Sequence, residues 1–219
     1  MRQAVIYDMD GIIIDSEPLW RQAMIRGFGT VNLKLTEQDC RKTTGMRIQE
    51  VILHWYAISP WKGKTPSEVE DTIINNLCQL IQSEGKAMYG LLDSMEFFKK
   101  ENYNLGLATS SSNKLLDTVL DTLKIRNEFQ HLQSAELLLY GKPHPEVYLR
   151  CAEELKVLPQ NCIAVEDSVN GVISGKAAGM KVIAVPDSEN LNDPRFSIAD
   201  VKIHSLKEIG NSILEKLKN

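Results

Sequence analysis

The sequence predicts an α/β fold: a mostly parallel sheet with helices on both faces and a small helical domain inserted after the first strand. Short apolar segments alternate with helical patterns along most of the 219 residues, as expected when helices join parallel strands. Between residues 16 and 85 helical patterns follow one another without a convincing strand. We therefore predict a core of residues 1–15 and 86–219 and an inserted domain of residues 16–85.

Each element is predicted from its local pattern. The clearest strand segments are residues 4–7, 105–108, 163–165 and 181–185, and weaker ones are residues 129–133 and 201–204. Helices are predicted in the insertion at residues 17–28, 48–56 and 66–84, the last with an apolar stripe that suits a core. Ser67 and Glu70 are predicted to form its capping box. Strands and helices in this order make a Rossmann-like sheet.

The composition argues against a nucleic-acid or membrane partner. A formal net charge of −4 gives no general attraction to nucleic acid or to anionic lipid. Asp8 and Asp10 interrupt the first apolar run before it could form a signal peptide or a membrane span. The four cysteines have no metal-ligand spacing and are expected to be buried, reduced thiols. We expect a cytoplasmic monomer.

Polar residues follow three of the predicted strands. Asp8 follows the first strand, Thr109 follows residues 105–108, and Glu166 and Asp167 follow residues 163–165. Because ligands of open α/β sheets bind at the carboxyl ends of the strands, these residues are predicted to meet in one crevice.

Asp8 and Asp10 are two residues apart, so an extended backbone points both carboxylates to the same side. At about 4 Å such like charges cost roughly 1 kcal/mol in water, and several times more at a partly buried site. A hard dication with oxygen ligands, such as Mg²⁺, would relieve that repulsion. The alternative interpretation is a strand-end turn with solvated acids.

Four motifs in order resemble those of the haloacid dehalogenase superfamily of phosphatases. They are Asp8-Met9-Asp10-Gly11, Thr109, Lys142 within Gly-Lys-Pro, and Glu166-Asp167-Ser168. The resemblance implies that Asp8 attacks phosphorus and forms an aspartyl-phosphate. It also implies that Asp10 protonates the leaving oxygen and later activates water.

The same resemblance implies the ligands of the metal and the phosphate. Asp8, the Asp10 main-chain carbonyl and Asp167 would bind Mg²⁺, for which Mn²⁺ or Co²⁺ could substitute, and Glu166 is a further candidate. Thr109, Ser110 and Lys142 would bind phosphate. Without the resemblance, Thr109 is more simply interpreted as a helix N-cap and Lys142 as a solvated surface residue.

The insertion resembles the helical cap of the beta-phosphoglucomutase-like branch of that superfamily. The stretches at residues 15–20 and 165–171 are similar to the bacterial hexitol phosphatases as a group, also described as 2-deoxyglucose-6-phosphate phosphatases. This implies hydrolysis of a small sugar or hexitol phosphate, with Glu17 and Arg47 as candidate substrate-binding residues. The mutases of that branch carry a histidine where this chain has Trp20, which favours hydrolysis.

Three alternatives stay open on the sequence. A sugar-phosphate mutase uses the same motifs, a phosphoaspartyl receiver module also uses Mg²⁺, an aspartate and a lysine, and a relative could be regulatory without activity. A receiver is nearer 120 residues and lacks an early helical insertion, so the phosphatase is the preferred hypothesis.

Overall fold

The computed structural model describes residues 3–44 and 46–218, and in these residues the sheet has six strands that all pair in parallel. The strands are β1 Gln3–Tyr7, β2 Tyr103–Thr109, β3 His131–Ser134, β4 Cys162–Glu166, β5 Lys181–Ala184 and β6 Val201–Lys202. Each predicted strand segment overlaps one of them, and the predicted parallel sheet is confirmed.

The strand order across the sheet is β3-β2-β1-β4-β5-β6. The chain therefore adds β2 and β3 on one side of β1 and the later strands on the other side, so the direction of winding reverses at β1. Ligands of open α/β sheets bind in the crevice at such a point. Tyr7, the last residue of β1, pairs with Leu107 of β2 and Val165 of β4. The residues that follow β1 and β4 are therefore neighbours.

Nine α-helices occur in the described residues: α1 Glu17–Gly29, α2 Glu37–Arg41, α3 Ile48–Ile58, α4 Pro66–Glu84, α5 Leu91–Lys100, α6 Asn113–Leu123, α7 Glu146–Glu154, α8 Val169–Ala177 and α9 Asn211–Lys218. Val5 and Tyr7 belong to one apolar cluster with residues of α5, α6 and α9, whereas Ala4 and Ile6 belong to another with residues of α7 and α8. Successive residues of a strand face opposite sides, so helices cover both faces. None of these helices is both long and apolar enough to cross a bilayer.

The helices α1 to α4 form the insertion, with no strand among its described residues. The predicted apolar stripe of α4 is buried. Gly27 of α1 allows α1 and α4 to approach closely, because a Cβ at Gly27 would lie 2.2 Å from Cγ1 of Ile73. The two helices are the structural centre of the insertion.

The bounds of α4 are those predicted, but its N-cap differs from the prediction. Its N-cap is Thr65, whose hydroxyl accepts a hydrogen bond from the Glu68 backbone N–H at 3.2 Å, while the Glu68 carboxylate accepts one from the Thr65 N–H at 2.7 Å. Ser67 lies inside the helix, so the predicted Ser67–Glu70 capping box is wrong. Pro66 explains the difference, because proline is favoured at the first helical position and fixes the start there.

Contacts between the insertion and the core include two that lie on different helices of the insertion. Lys114 of α6 donates a hydrogen bond to Asn75 of α4. Arg41 of α2 forms an ion pair with Glu189, which lies between β5 and β6. The insertion therefore lies over the carboxyl edge of the sheet. All four cysteines are buried and free, as predicted.

Candidate active site

Asp8 and Lys142 are in direct contact although 134 residues separate them in the chain. The Asp8 backbone N–H donates to the Val165 carbonyl at 3.0 Å, which extends the strand pairing one residue beyond β1. The Asp8 Oδ1 atom accepts a hydrogen bond from Lys142 Nζ at 2.5 Å. The two side chains are only 11% and 5% exposed. The structure thus brings together the predicted nucleophile and the predicted cation.

Lys142 has two further strong partners. Its ammonium group donates to the Ala108 carbonyl at 2.9 Å and to Glu166 Oε1 at 2.6 Å. Burial acts to lower the pKa of Lys142, but the charges of Asp8 and Glu166 outweigh it and hold the pKa above its ordinary value. Lys142 is therefore a fixed cation beside Asp8.

The acids of the site form one cluster. One carboxylate oxygen from each of Asp8, Glu166 and Asp167 lies within 4.8 Å of the others. The pKa of Asp8 is raised to about 7. Burial is the main cause, the charge of Lys142 opposes the rise, and the charges of Glu166 and Asp10 contribute to it. Burial and the neighbouring Asp8 likewise raise the pKa of Asp167 well above its ordinary value. A hard dication would relieve this repulsion, so the donor set fits Mg²⁺.

The backbone at Gly11 explains why the first motif ends in glycine. Its φ of +74° is in the left-handed region, and a Cβ there would lie 2.0 Å from Asp167 Oδ2. Only glycine combines this turn with such a close approach. The turn after Asp10 therefore lets Asp167 pack against the first motif.

The two oxygens of Glu166 are both used in hydrogen bonds. Oε1 accepts from Lys142 and also from the Tyr148 hydroxyl at 2.7 Å, and Oε2 accepts from the Ser168 hydroxyl at 3.2 Å. Glu166 is fully buried. These contacts are those expected of a residue that positions Lys142, and they leave neither oxygen free for a metal. Tyr148 lies outside the motifs that marked the site in the sequence.

Asp10 accepts hydrogen bonds on both oxygens. The Ser16 hydroxyl and the Trp20 indole N–H donate to Oδ1 at 2.6 and 2.9 Å, and the Ser111 hydroxyl donates to Oδ2 at 2.7 Å. Ser16 is at the N-cap position of α1 but makes no capping bond, because its hydroxyl points to Asp10. None of these three donors could be assigned to Asp10 from the sequence.

Thr109 is not the N-cap of α6. That cap is Ser112, whose hydroxyl accepts from the Leu115 N–H at 3.4 Å. Thr109 is 1% exposed, and its oxygen accepts from the Ser111 N–H at 3.0 Å. The Thr109 hydroxyl hydrogen can therefore be donated to an anion.

A cavity of about 120 Å³ lies between the insertion and the core. Six of the predicted core residues line it: Asp8, Asp10, Thr109, Ser110, Lys142 and Asp167. The insertion contributes apolar side chains, among them Met24, Val51 and Ile74. The cavity thus combines a charged floor with a partly apolar wall.

Glu17 and Arg47 also line this cavity, from the insertion. The Nε and one terminal nitrogen of Arg47 are buried and have no hydrogen-bond partner in the described part of the chain. A Cβ at Gly141 would lie 1.9 Å from Arg47 Nε, so the guanidinium group rests on the backbone next to Lys142. Glu17 accepts a hydrogen bond from Arg21 at 3.3 Å, and burial and then the charge of Asp10 raise its pKa to about 7.

The family of the protein follows from this fold and site. The sequence model of the haloacid dehalogenase-like hydrolases matches residues 5–185, and the chain belongs to that family. It is 42% identical over 207 residues to hexitol phosphatase B of Escherichia coli strain K12, with 94% of this chain and 93% of that protein covered. It is 28% identical to a phosphorylated carbohydrates phosphatase of Thermotoga maritima, with 98% and 100% covered. The predicted superfamily and enzyme class are confirmed.

Solved structures share the fold over the whole chain. Beta-phosphoglucomutase from Clostridium difficile has a TM-score of 0.85 at 25% identity, covering 100% of this chain and 98% of that one. CbbY from Rhodobacter sphaeroides, in complex with phosphate, has a TM-score of 0.89 at 22% identity and covers both chains fully. The predicted α/β fold is confirmed, and the receiver alternative is excluded by the family.

Proposed function

We propose that the protein hydrolyses phosphate esters of small sugars or hexitols, with Asp8 as nucleophile and Mg²⁺ as cofactor. The observation that carries the proposal is the Asp8 carboxylate, held by Lys142 and close to Asp167 at the floor of a covered cavity. The 42% sequence identity to a hexitol phosphatase supports the substrate class. Suitable test substrates are 2-deoxyglucose 6-phosphate, sorbitol 6-phosphate and mannitol phosphate.

The metal would be held by the side chains of Asp8 and Asp167 and by the Asp10 main-chain carbonyl, and Mn²⁺ or Co²⁺ could substitute. When bound, Mg²⁺ supplies positive charge that offsets the phosphate and the carboxylates. We assign Glu166 to Lys142 rather than to the metal, because both of its oxygens are engaged in hydrogen bonds.

In the first step an Asp8 oxygen bonds to phosphorus while the ester P–O bond breaks. Asp10 gives a proton to the leaving oxygen of the sugar, and an aspartyl-phosphate remains on Asp8. Lys142, the Thr109 hydroxyl and the Ser110 backbone N–H bind the phosphate oxygens. Donors that are fixed before the reaction stabilise developing charge without reorganisation, which lowers the barrier.

In the second step water attacks the same phosphorus atom. Asp10, now a carboxylate, takes a proton from that water, the acyl-phosphate P–O bond breaks, and Asp8 is restored as phosphate leaves. One positioned carboxyl group thus acts as acid and then as base. General acid–base catalysis contributes about 10²–10⁴ in rate.

We infer that residues 16–85 act as a cap domain on a core of residues 1–15 and 86–219, of which residues 1, 2, 45 and 219 lie outside the described residues. Two guanidinium nitrogens of Arg47 have no partner among the described residues and are available to donate to the oxygens of a sugar or hexitol, and Glu17 is available to accept from a hydroxyl. The partner is one small phosphorylated metabolite, bound by a monomer. Closure of the cap would exclude bulk water from the reacting phosphate.

Hydrolysis is tested with a panel of hexose, deoxyhexose and hexitol phosphates, compared by kcat/KM with and without a chelator. We expect metal-dependent phosphate release that Lys142→Ala reduces by at least about 10²-fold, since one fixed cation is lost from the site. Activity that persists at full rate in excess chelator would refute the metal assignment.

The mutase alternative is tested by product analysis with beta-glucose 1-phosphate. The Trp20 indole N–H can donate a hydrogen bond but cannot exchange a proton as an imidazole does, which favours hydrolysis. We expect free phosphate and no glucose 6-phosphate. Isomerisation without phosphate release would replace the phosphatase proposal with a mutase.

A further inference from the structure

Tyr148 of α7 is a buried residue of the site that the proposed mechanism does not use. Its side chain is 0% exposed, and it does not border the cavity in the described part of the chain. Its hydroxyl donates to Glu166 Oε1 at 2.7 Å and lies 3.4 Å from Lys142 Nζ. The Lys142 nitrogen also lies 4.9 Å from the centroid of the Tyr148 ring. Tyr148 therefore contacts the Lys142–Glu166 pair from outside the substrate cavity.

Lys142 must exchange one of its hydrogen-bond acceptors when phosphate binds. An ammonium group has three hydrogens, and those of Lys142 already have three close acceptors: Asp8, the Ala108 carbonyl and Glu166. When phosphate enters, Lys142 must give up one acceptor to bind a phosphate oxygen. Asp8 is the acceptor that changes, because it forms its own bond to phosphorus. Lys142 then keeps the Ala108 carbonyl and Glu166 as close acceptors, with the Tyr148 hydroxyl 3.4 Å away.

We propose that Tyr148 is a positioning residue that fixes Glu166 and supports the Lys142 ammonium, so that Lys142 stays directed at the phosphate when Asp8 releases it. The hydroxyl of Tyr148 keeps Glu166 Oε1 in place, and its ring face lies against the cation, an arrangement that attracts a desolvated ammonium group. The inference rests on the proposed function, because Lys142 must bind the transferred phosphate.

The test is Tyr148→Phe, which keeps the ring and its volume and removes only the hydroxyl. A hydrogen bond to a charged acceptor is lost, so we expect kcat to fall about 10-fold while KM changes less than about twofold. We also expect orthovanadate, which mimics the five-coordinate transition state, to bind about 10-fold more weakly. The affinity for inorganic phosphate should stay within about twofold, because ground-state binding needs less accurate placement of Lys142.

Tyr7→Phe is a matched control. Tyr7 is also fully buried, and its hydroxyl also bonds to one side chain, Ser94, at 3.1 Å. Both variants lose one buried hydroxyl, so a similar loss of stability is expected in both, measured as a change in Tm. Only Tyr148→Phe is expected to lose kcat.

The route through Glu166 is tested by combining Tyr148→Phe with Glu166→Gln. If Tyr148 acts through Glu166, Tyr148→Phe should lower kcat less than about twofold in the Glu166→Gln variant. The reason is that substitutions within one hydrogen-bond network do not have additive effects. A kcat for Tyr148→Phe within twofold of Tyr7→Phe overturns the inference, as does an undiminished effect in that background. A fully active Lys142→Ala variant would instead overturn the proposed function.

Discussion

Asp10 receives three hydrogen bonds, and two of the donors, Ser16 and Trp20, lie at or near the start of α1. The orientation of the proposed acid and base therefore depends on how the insertion packs on the core. Trp20 is the more informative of the two donors, because it extends from the helix and can only donate. Trp20, on which the preference for hydrolysis over mutase chemistry rests, thus contacts the group that we propose to protonate the leaving oxygen.

Trp20→Phe should lower kcat about 10-fold, since it removes one hydrogen bond to a charged acceptor while the two serine donors remain. Trp61→Phe is the matched control, because the Trp61 indole N–H donates to the Lys64 carbonyl at 3.2 Å, within the insertion. Steady-state kinetics on both variants checks this. Equal kcat values in the two variants would contradict the role of Trp20.

Glu17 should make stability depend on pH. Its pKa is raised from 4.5 to about 7, mainly by burial and by the charge of Asp10. The folded protein then holds the proton more tightly than the unfolded chain, so the stability linked to Glu17 is full below about pH 4.5 and is lost as the pH rises through about 7. Glu17→Gln cannot ionise, and its free energy of unfolding relative to the parent protein should rise on the order of 1 kcal/mol between pH 5 and pH 8. Urea denaturation in the presence of chelator measures both free energies of unfolding. A difference between the two proteins that does not change with pH would contradict the prediction.

The sequence predicted the residues whose chemistry is visible in a motif, and it missed those that act through geometry. Asp8, Lys142 and Asp167 could be predicted because they stand in motifs that resemble those of a known superfamily, and Asp8 and Asp167 also follow strands. Ser111 and Tyr148 could not, because their roles depend on which side chain their hydroxyl groups reach after folding. Tertiary structure alone brings the Tyr148 hydroxyl to Glu166.

At the scale of elements, β1, β2, β4 and β5 were predicted well because each contains a short apolar run with polar residues beside it, whereas β3 and β6 are less apolar and were the weaker predictions. The bounds of α4 were also predicted, but its capping residues were not, because two overlapping Ser/Thr-to-Glu spacings occur there and the proline decides between them. Thr65 pairs with Glu68, whereas Ser67 is exposed inside the helix.

Thr65→Ala should lower the free energy of unfolding by about 1 kcal/mol, because the first turn of α4 loses its cap. Ser67→Ala should change it by less than about 0.5 kcal/mol, since surface positions away from caps have small effects. Chemical denaturation of both variants checks the difference. A larger loss for Ser67→Ala would restore the capping box predicted from sequence.

At the scale of the whole molecule, the site is assembled from segments far apart in the chain. The strand order places the residues after β1, β2 and β4 at one edge of the sheet, and the insertion lies over that edge through Arg41 on one side and Asn75 on the other. The insertion could be predicted from the missing strands, but its contacts with the core could not. This arrangement suits a reaction in which bulk water is excluded from the phosphate while the nucleophile stays accessible to it.

The central claim is that phosphate passes through Asp8, and trapping the intermediate tests it most directly. Asp10→Asn should slow hydrolysis of the aspartyl-phosphate more than its formation, so the phospho-enzyme accumulates with p-nitrophenyl phosphate and Mg²⁺. Peptide mass spectrometry after an acid quench should then find one added phosphoryl group on Asp8, and none when Asp8→Asn is added. Turnover by the Asp8→Asn variant at a near-normal rate, or a phosphoryl group on another residue, would contradict the account.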